Sequence, residues 1–246
     1  MPTDRPVVLV TGAAKRIGAV IARRLHAAGF DLALHHRRSD AEMAALVAEL
    51  EALRKGSTRV LQAELADDAA PATMVQAVQD HFGRLDALVN NASSFWPTPL
   101  GQATPADWDA LFAANARAPF FLAQAAAPLL RAAGGAIVNL GDIYGERPLA
   151  GHTIYCMAKA ALLMLTQSLA RELGPEVRVN AVAPGAVLWP EEGKAENEKQ
   201  AMLASTALKR AGEPDDVAEA VRWLIQDARY TTGQVIRVDG GRSLNL

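Results

Sequence analysis

The 246-residue chain predicts an α/β fold: a doubly wound parallel sheet of about seven strands with helices on both faces. Three observations carry that prediction. Short aliphatic runs without polar alternation recur along the chain, at residues 7–10, 85–89 and 136–140, as expected of strands buried on both faces. Between such runs lie Ala- and Leu-rich stretches whose apolar residues recur every three or four positions, the spacing of a helix with one buried side. A glycine-bearing turn, Thr11-Gly12-Ala13-Ala14-Lys15-Arg16-Ile17-Gly18, joins the first run to the first helical stretch.

Residues 7–10 are the first predicted strand, and the turn after them opens a helix over 17–28 that stops at Gly29. Residues 31–35 are the second strand. Strand, glycine turn, helix and strand in this order make a βαβ unit that binds a dinucleotide pyrophosphate at the helix N-terminus, the Rossmann-type arrangement. Gly12, Lys15, Arg16, Ile17 and Gly18 are therefore candidate cofactor contacts. The end of the second strand selects the cofactor. An acid there binds the ribose hydroxyls of NAD, but this chain carries His35-His36-Arg37-Arg38-Ser39. Two guanidiniums and a hydroxyl suit a 2′-phosphate, because Arg binds phosphate oxygens bidentately. Lys15 and Arg16 add positive charge. A solvated basic turn is the competing reading; the position of the cluster favours NADPH.

Residues 41–54 read as an amphipathic helix, 59–62 as the third strand and 71–82 as the next helix. Glu64 and Leu65, just past the third strand, are expected near an adenine ring. The strand at 85–89 runs into Asn90-Asn91-Ala92-Ser93-Ser94-Phe95-Trp96. That segment leaves the C-terminal end of a parallel strand, where such sheets bind ligands. Pro97 and Pro99 hold Phe95 and Trp96 on a stiff loop, and an aromatic at the crevice mouth can stack on a flat ring. Residues 105–133 form one long helical pattern containing Asn115 and Pro119. Pro119 has no N–H for the Asn115 carbonyl, so a bend is expected there. The freed carbonyl either holds a water near Lys159 or has no role.

Residues 136–140 are the fifth strand, followed at once by Gly141 and Asp142; residues 155–173 are a long helix. Its alanines, Ala158, Ala160 and Ala161, offer close packing to a second copy. Residues 177–182 are a strand leading to Pro184-Gly185, and 187–210 are polar and irregular, with Trp189 and Pro190 at their start, an expected lid. A helix over 214–226, a strand over 234–238 and a short tail complete the chain.

Tyr155 and Lys159 lie four residues apart, on one face of a helix. Ordinary Tyr and Lys titrate near about 10 and 10.4. An adjacent ammonium favours the phenolate and lowers the Tyr155 pKa, an ionised Asp142 raises it, and the pair is expected to titrate as a coupled unit with Tyr155 a candidate general acid. Asp142, at a strand end thirteen residues earlier, completes a proton-handling site.

Composition sets the outer bounds. Half the residues are hydrophobic, so a sizeable core is expected, and the 246 positions read as one domain with an insertion at 187–210. A net charge of −2 gives no reason to expect nucleic acid or an anionic membrane as partner. The lone Cys156 fits a reducing compartment and no metal site is expected. The N-terminus lacks a signal-peptide pattern, and the most apolar region, 119–130, is too short to span a bilayer, so a cytoplasmic location is expected.

Together, TGAAKRIG, the Asn90-Asn91-Ala92 triplet, Asn115, Tyr155-x-x-x-Lys159 and Pro184-Gly185 resemble the short-chain dehydrogenase/reductase superfamily over about residues 5–244. The resemblance implies that Asn115, Tyr155 and Lys159 form a proton relay, that Lys159 also holds the nicotinamide ribose, and that Pro184 and Gly185 contact the cofactor. Three positions depart from the ordinary pattern: Arg16 and Ser93 replace glycines, and Asp142 replaces a serine. With residues 36–39, NNASSF, TIYCMAKAAL and VDGGRSL, they look like the pteridine reductases. Glu64 departs from the Asp usual there. By that resemblance Phe95 sandwiches a pterin against the nicotinamide, Arg16 and Ser93 touch cofactor and substrate, and Asp142 assists Tyr155 in protonating the ring. The expected activity is NADPH-dependent reduction of dihydropterins, with folate a further candidate, by a homotetramer. The alternative is a carbonyl reductase of ketones, quinones or 3-oxoacyl groups.

Overall fold

The computed structural model describes residues 3–187 and 196–245, with the backbone alone for 196–199. Seven strands form one sheet in the order β3-β2-β1-β4-β5-β6-β7. They are β1 Val7–Val10, β2 Asp31–His36, β3 Thr58–Gln62, β4 Ala87–Asn90, β5 Ala136–Leu140, β6 Arg178–Pro184 and β7 Val235–Val238. Every pair is parallel. The strand order reverses direction between β1 and β4, and the crevice outside their C-terminal ends is where such sheets bind ligands.

The uniform apolar runs are explained by burial on both faces. Along β1, Val8 and Val10 join a core with Ile21 and Leu25 of α1 (Arg16–Ala27) and Val217, Val221 and Leu224 of α8 (Pro214–Gln226). Val7 and Leu9 point the other way, toward Val78 and Phe82 of α3 (Ala70–Phe82) and Leu122 and Leu130 of α5 (Ala118–Ala133). Successive side chains on a strand face opposite sides, so an apolar residue is needed at every position. The remaining helices are α2 (Asp40–Leu53), α4 (Pro105–Phe112), α6 (Thr153–Leu173) and α7 (Glu196–Ser205).

Three expectations need correction. The long helix over 105–133 is two helices, α4 and α5, joined by a π-helical segment at Ala113–Arg117. The Ala118 N–H reaches back five residues to the Ala113 carbonyl, so the break precedes Pro119, which sits in the first turn of α5. The expected irregular stretch contains α7. Its sequence, ENEKQAMLAS, is rich in good helix formers, but its apolar spacing is too weak to show a buried face. Trp189 and Pro190, where the lid was expected to begin, lie outside the described residues. Ala158 is fully buried within the chain and cannot meet a second copy. Among the described residues, α6 is the one helix long and apolar enough to cross a membrane by length and composition. It packs Leu169 and Leu173 into the sheet core instead.

Candidate active site

Two loops close the crevice. Thr11, at the end of β1, accepts on Oγ1 from the Asn91 and Ala92 amides at 2.9 and 3.0 Å. The Asn91 side-chain amide donates to the Thr11 and Gly12 carbonyls at 2.8 and 3.0 Å. The glycines fit because the backbones nearly touch: a Cβ on Gly18 would lie 2.2 Å from the Gly12 carbonyl oxygen. Arg16 adopts a left-handed conformation with φ of 56°, at a cost of about 1–2 kcal/mol for a residue with a side chain. That backbone explains why a glycine is ordinary at this position.

These loops and the end of β2 line a cleft of about 590 Å³. Gly12, Lys15, Arg16, Ile17, Gly18, His36, Arg37, Arg38, Ser39, Glu64, Leu65, Asn91, Ala92 and Ser93 all line it. Arg37 pairs with Glu64 at 3.3 Å and Lys15 with Glu42 at 3.7 Å. Arg38 is exposed, and the His36 Nδ1 is buried without a hydrogen-bond partner. A glycine cradle that side chains would fill, an orphaned ring nitrogen and arginines at the rim fit a phosphorylated nucleotide. Pro184 and Gly185 do not line this cleft. Gly185 donates its N–H to the Val238 carbonyl at 3.0 Å, and a Cβ there would strike Asp239 at 2.7 Å, so its evident role is the β6–β7 join.

The proton-handling groups lie at the next strand ends. Asp142 leaves β5 and its carboxylate accepts from the Tyr155 hydroxyl at 2.6 Å and from the Tyr144 amide at 2.9 Å. Lys159 is buried one helical turn from Tyr155 and donates to the Leu140 carbonyl at 2.8 Å. Asn115, in the π segment, donates from its side-chain amide to the Ser94 and Leu111 carbonyls, both at 2.9 Å, and accepts from the Ser93 hydroxyl at 2.6 Å. Leu111 lies four residues before Asn115, so the side chain takes up a carbonyl near the π segment. Ser93 thus bridges the cleft and the proton-handling groups.

Of the two opposing influences expected on the Tyr155 pKa, that of Asp142 prevails, and burial acts in the same direction. Burial pushes it well above its ordinary value, and the neighbouring Asp142 charge adds to that. The reason is geometric: the ammonium is turned to the Leu140 carbonyl, while the carboxylate touches the phenol directly. Burial likewise raises Asp142, and it lowers Lys159 to about 8. The phenol therefore holds its proton and hands the hydrogen bond to the carboxylate.

Phe95 is 46% exposed and is not among the residues that line the cleft, which ends on this loop at Ser93 and Ser94. Its ring meets the Tyr155 ring edge-on, 4.8 Å between centroids, and the His152 ring stacks on it at 4.7 Å. Trp96 is pinned to α4 by a 3.0 Å bond from its indole N–H to Asp107 and packs beside Leu111 and Ile154, so it supports the wall. Sequence reasoning missed His152 and named His35 only within the run that closes β2, without a role of its own; both make contacts distant along the chain.

A family model described as enoyl-(acyl carrier protein) reductase matches residues 12–243. The chain is 38% identical to pteridine reductase 1 of Leishmania tarentolae, over 97% of this chain and 96% of the relative.

The chain belongs to the short-chain dehydrogenase/reductase superfamily.

It is also 37% identical to 3-oxoacyl-[acyl-carrier-protein] reductases of Staphylococcus aureus, over 95% of this chain and 96% of the relative, and of Staphylococcus epidermidis, over 95% and 97%. As a short-chain dehydrogenase/reductase the chain is an oxidoreductase, and members of the superfamily use nicotinamide cofactors. The near-equal identities leave the substrate to be argued from the site.

Proposed function

We propose that this short-chain reductase uses NADPH to reduce dihydropterins to their tetrahydro forms, with folates as a second substrate class. The observation that carries the reading is the Asp142 carboxylate, 2.6 Å from the Tyr155 hydroxyl, where the superfamily's ordinary members keep an alcohol. A carbonyl substrate needs hydrogen-bond donors on its oxygen. A pterin presents ring nitrogens and an amino group, and a carboxylate can accept from the latter.

The bound nicotinamide would supply hydride to the carbon of the C=N bond, and the nitrogen must then gain a proton. Tyr155 holds that proton at neutral pH and Asp142 sets its direction. Lys159, buried with its ammonium on the Leu140 carbonyl, adds positive charge that favours the ionised Asp142 carboxyl. Asn115 fixes Ser93 and the backbone of Ser94, and so the loop that carries Phe95. Phe95 offers a flat face for a flat ring. Glycine turn and β2 end would hold the pyrophosphate and the 2′-phosphate, with Arg38 the guanidinium left for the latter.

A carbonyl reductase is the second reading, favoured by the 3-oxoacyl relatives. Assays of NADPH oxidation with dihydrobiopterin and with a ketone panel separate the two. Asp142→Ser is expected to lower pterin turnover about a hundredfold or more while leaving ketone turnover equal or raised, within the range of general acid–base effects; ketone turnover without pterin turnover in the unaltered enzyme refutes the proposal. Arg38→Ala is expected to weaken NADPH about tenfold and NADH little, as loss of a charge-assisted phosphate contact does, read by nucleotide titration. Equal loss for both nucleotides would remove the 2′-phosphate role. We further propose a cytoplasmic homotetramer. Exposed Phe120, Phe121 and Met164 on α5 and α6 supply apolar surface for such contacts, and light scattering tests it.

A further inference from the structure

His35 is a buried titratable group that the proton chemistry leaves unused. It is the last residue but one of β2, 2% exposed, and both ring nitrogens are engaged. The Gly12 amide lies 3.2 Å from Nδ1, and the Ala63 carbonyl lies 3.1 Å from Nε2. An amide N–H only donates and a carbonyl only accepts, so the ring is the neutral tautomer with its proton on Nε2. Burial keeps it neutral, with a pKa held down at about 4; His36 lowers it further and Glu64 opposes.

The bonds extend beyond the ring. The Ala13 amide donates to the His35 carbonyl at 2.8 Å, and the Ala63 amide donates to the His36 carbonyl at 3.2 Å. Two successive amides of the glycine turn, Gly12 and Ala13, are thus held by β2 and withdrawn from any bound anion. Gly12 itself is left-handed, with φ of 61°, a conformation the acceptor on Nδ1 helps to hold. Ala63 directly precedes Glu64 and Leu65 on the opposite wall of the cleft.

We infer that His35 is a positioning residue for the nucleotide: its ring ties the glycine turn after β1 to the chain leaving β3, and so sets the spacing between the two walls of the cleft. The inference rests on the proposal that a nicotinamide nucleotide occupies that cleft.

Three variants separate the two bonds. His35→Asn places an amide oxygen where Nδ1 accepts, and is too short to reach Ala63. His35→Gln carries an N–H toward Ala63 and leaves no acceptor for Gly12. His35→Leu keeps neither. NADPH affinity is read by the fluorescence of the bound nicotinamide, beside thermal unfolding of the protein without nucleotide. His35→Leu is expected to bind NADPH about tenfold more weakly, the order expected when a buried donor loses its acceptor, with kcat at saturating NADPH within about twofold of the unaltered enzyme. His35→Asn is expected to recover affinity to within about threefold, and His35→Gln to remain weak. Should the Leu variant not fold, the Asn-against-Gln difference carries the test. Equal affinity in all three variants, or equal loss in Asn and Gln, overturns the inference. An unaltered protein that binds neither NADPH nor NADH would instead overturn the cofactor assignment itself, and this inference with it.

Discussion

Tyr155→Phe is expected to lower reductase turnover by two or more orders of magnitude while leaving nucleotide affinity within about twofold, because loss of a general acid typically costs about 10²–10⁴ in rate. The substitution removes one oxygen and keeps the ring. The edge contact with Phe95 and the packing beside Leu111 and Ile154 therefore survive. What is lost is the O–H that lies 2.6 Å from the Asp142 carboxylate, the proton the site holds ready. Since burial and Asp142 both raise the Tyr155 pKa, the phenol is protonated through the neutral range, and the variant's deficit should stay constant there. Steady-state kinetics with saturating NADPH, together with nucleotide titration, measure both quantities. A variant with unaltered turnover would remove Tyr155 from the chemistry and point to Asp142 as the sole proton donor.

Gly18→Ala is expected to destabilise the fold by about 3 kcal/mol, at the upper end of ordinary overpacking, and to weaken NADPH at least tenfold. The added Cβ would stand 2.2 Å from the Gly12 carbonyl oxygen and 2.6 Å from the Asn91 side-chain nitrogen. Neither neighbour yields easily. The carbonyl belongs to a turn held on both sides, and the amide nitrogen makes two hydrogen bonds to that turn. For a chain of this size each kcal/mol lowers the melting temperature by roughly 2–4 °C, so a drop of roughly 6–12 °C is measurable by thermal unfolding. Gly29→Ala is the control. It too is left-handed, with φ of 97°, but a Cβ there meets nothing within 4 Å, so it should show backbone strain and no loss of nucleotide. Equal effects of the two substitutions would mean that the loops do not meet as closely as the structure has them.

The strands were legible because each must be apolar on both faces, a requirement strong enough to stand out in runs as short as Val7–Val10. The glycine turn was legible for a similar reason: a left-handed Gly12 and a touching Gly18 admit few other residues. The π segment was not, because a proline marks only where an amide is missing. It does not say how the preceding turn rearranges, and the Asn115 side chain makes its own bond to the Leu111 carbonyl. The helix at 196–205 escaped notice because its composition favours a helix while its pattern shows no buried face.

Asn115 entered the relay through the resemblance to the superfamily; the sequence by itself determined the α/β class, the glycine turn and basic β2 end that line one cleft, and the spacing that sets Tyr155 and Lys159 on one helix face with Asp142 at a strand end. Those features depend on local spacing and on residue types with few substitutes. Only the tertiary structure decided the direction in which Tyr155 titrates, the service of Trp96 as wall and not platform, and the capture of the glycine turn by His35. Each of these depends on burial and on partners far along the chain, and electrostatics in a buried site follows which groups touch, not how many residues separate them.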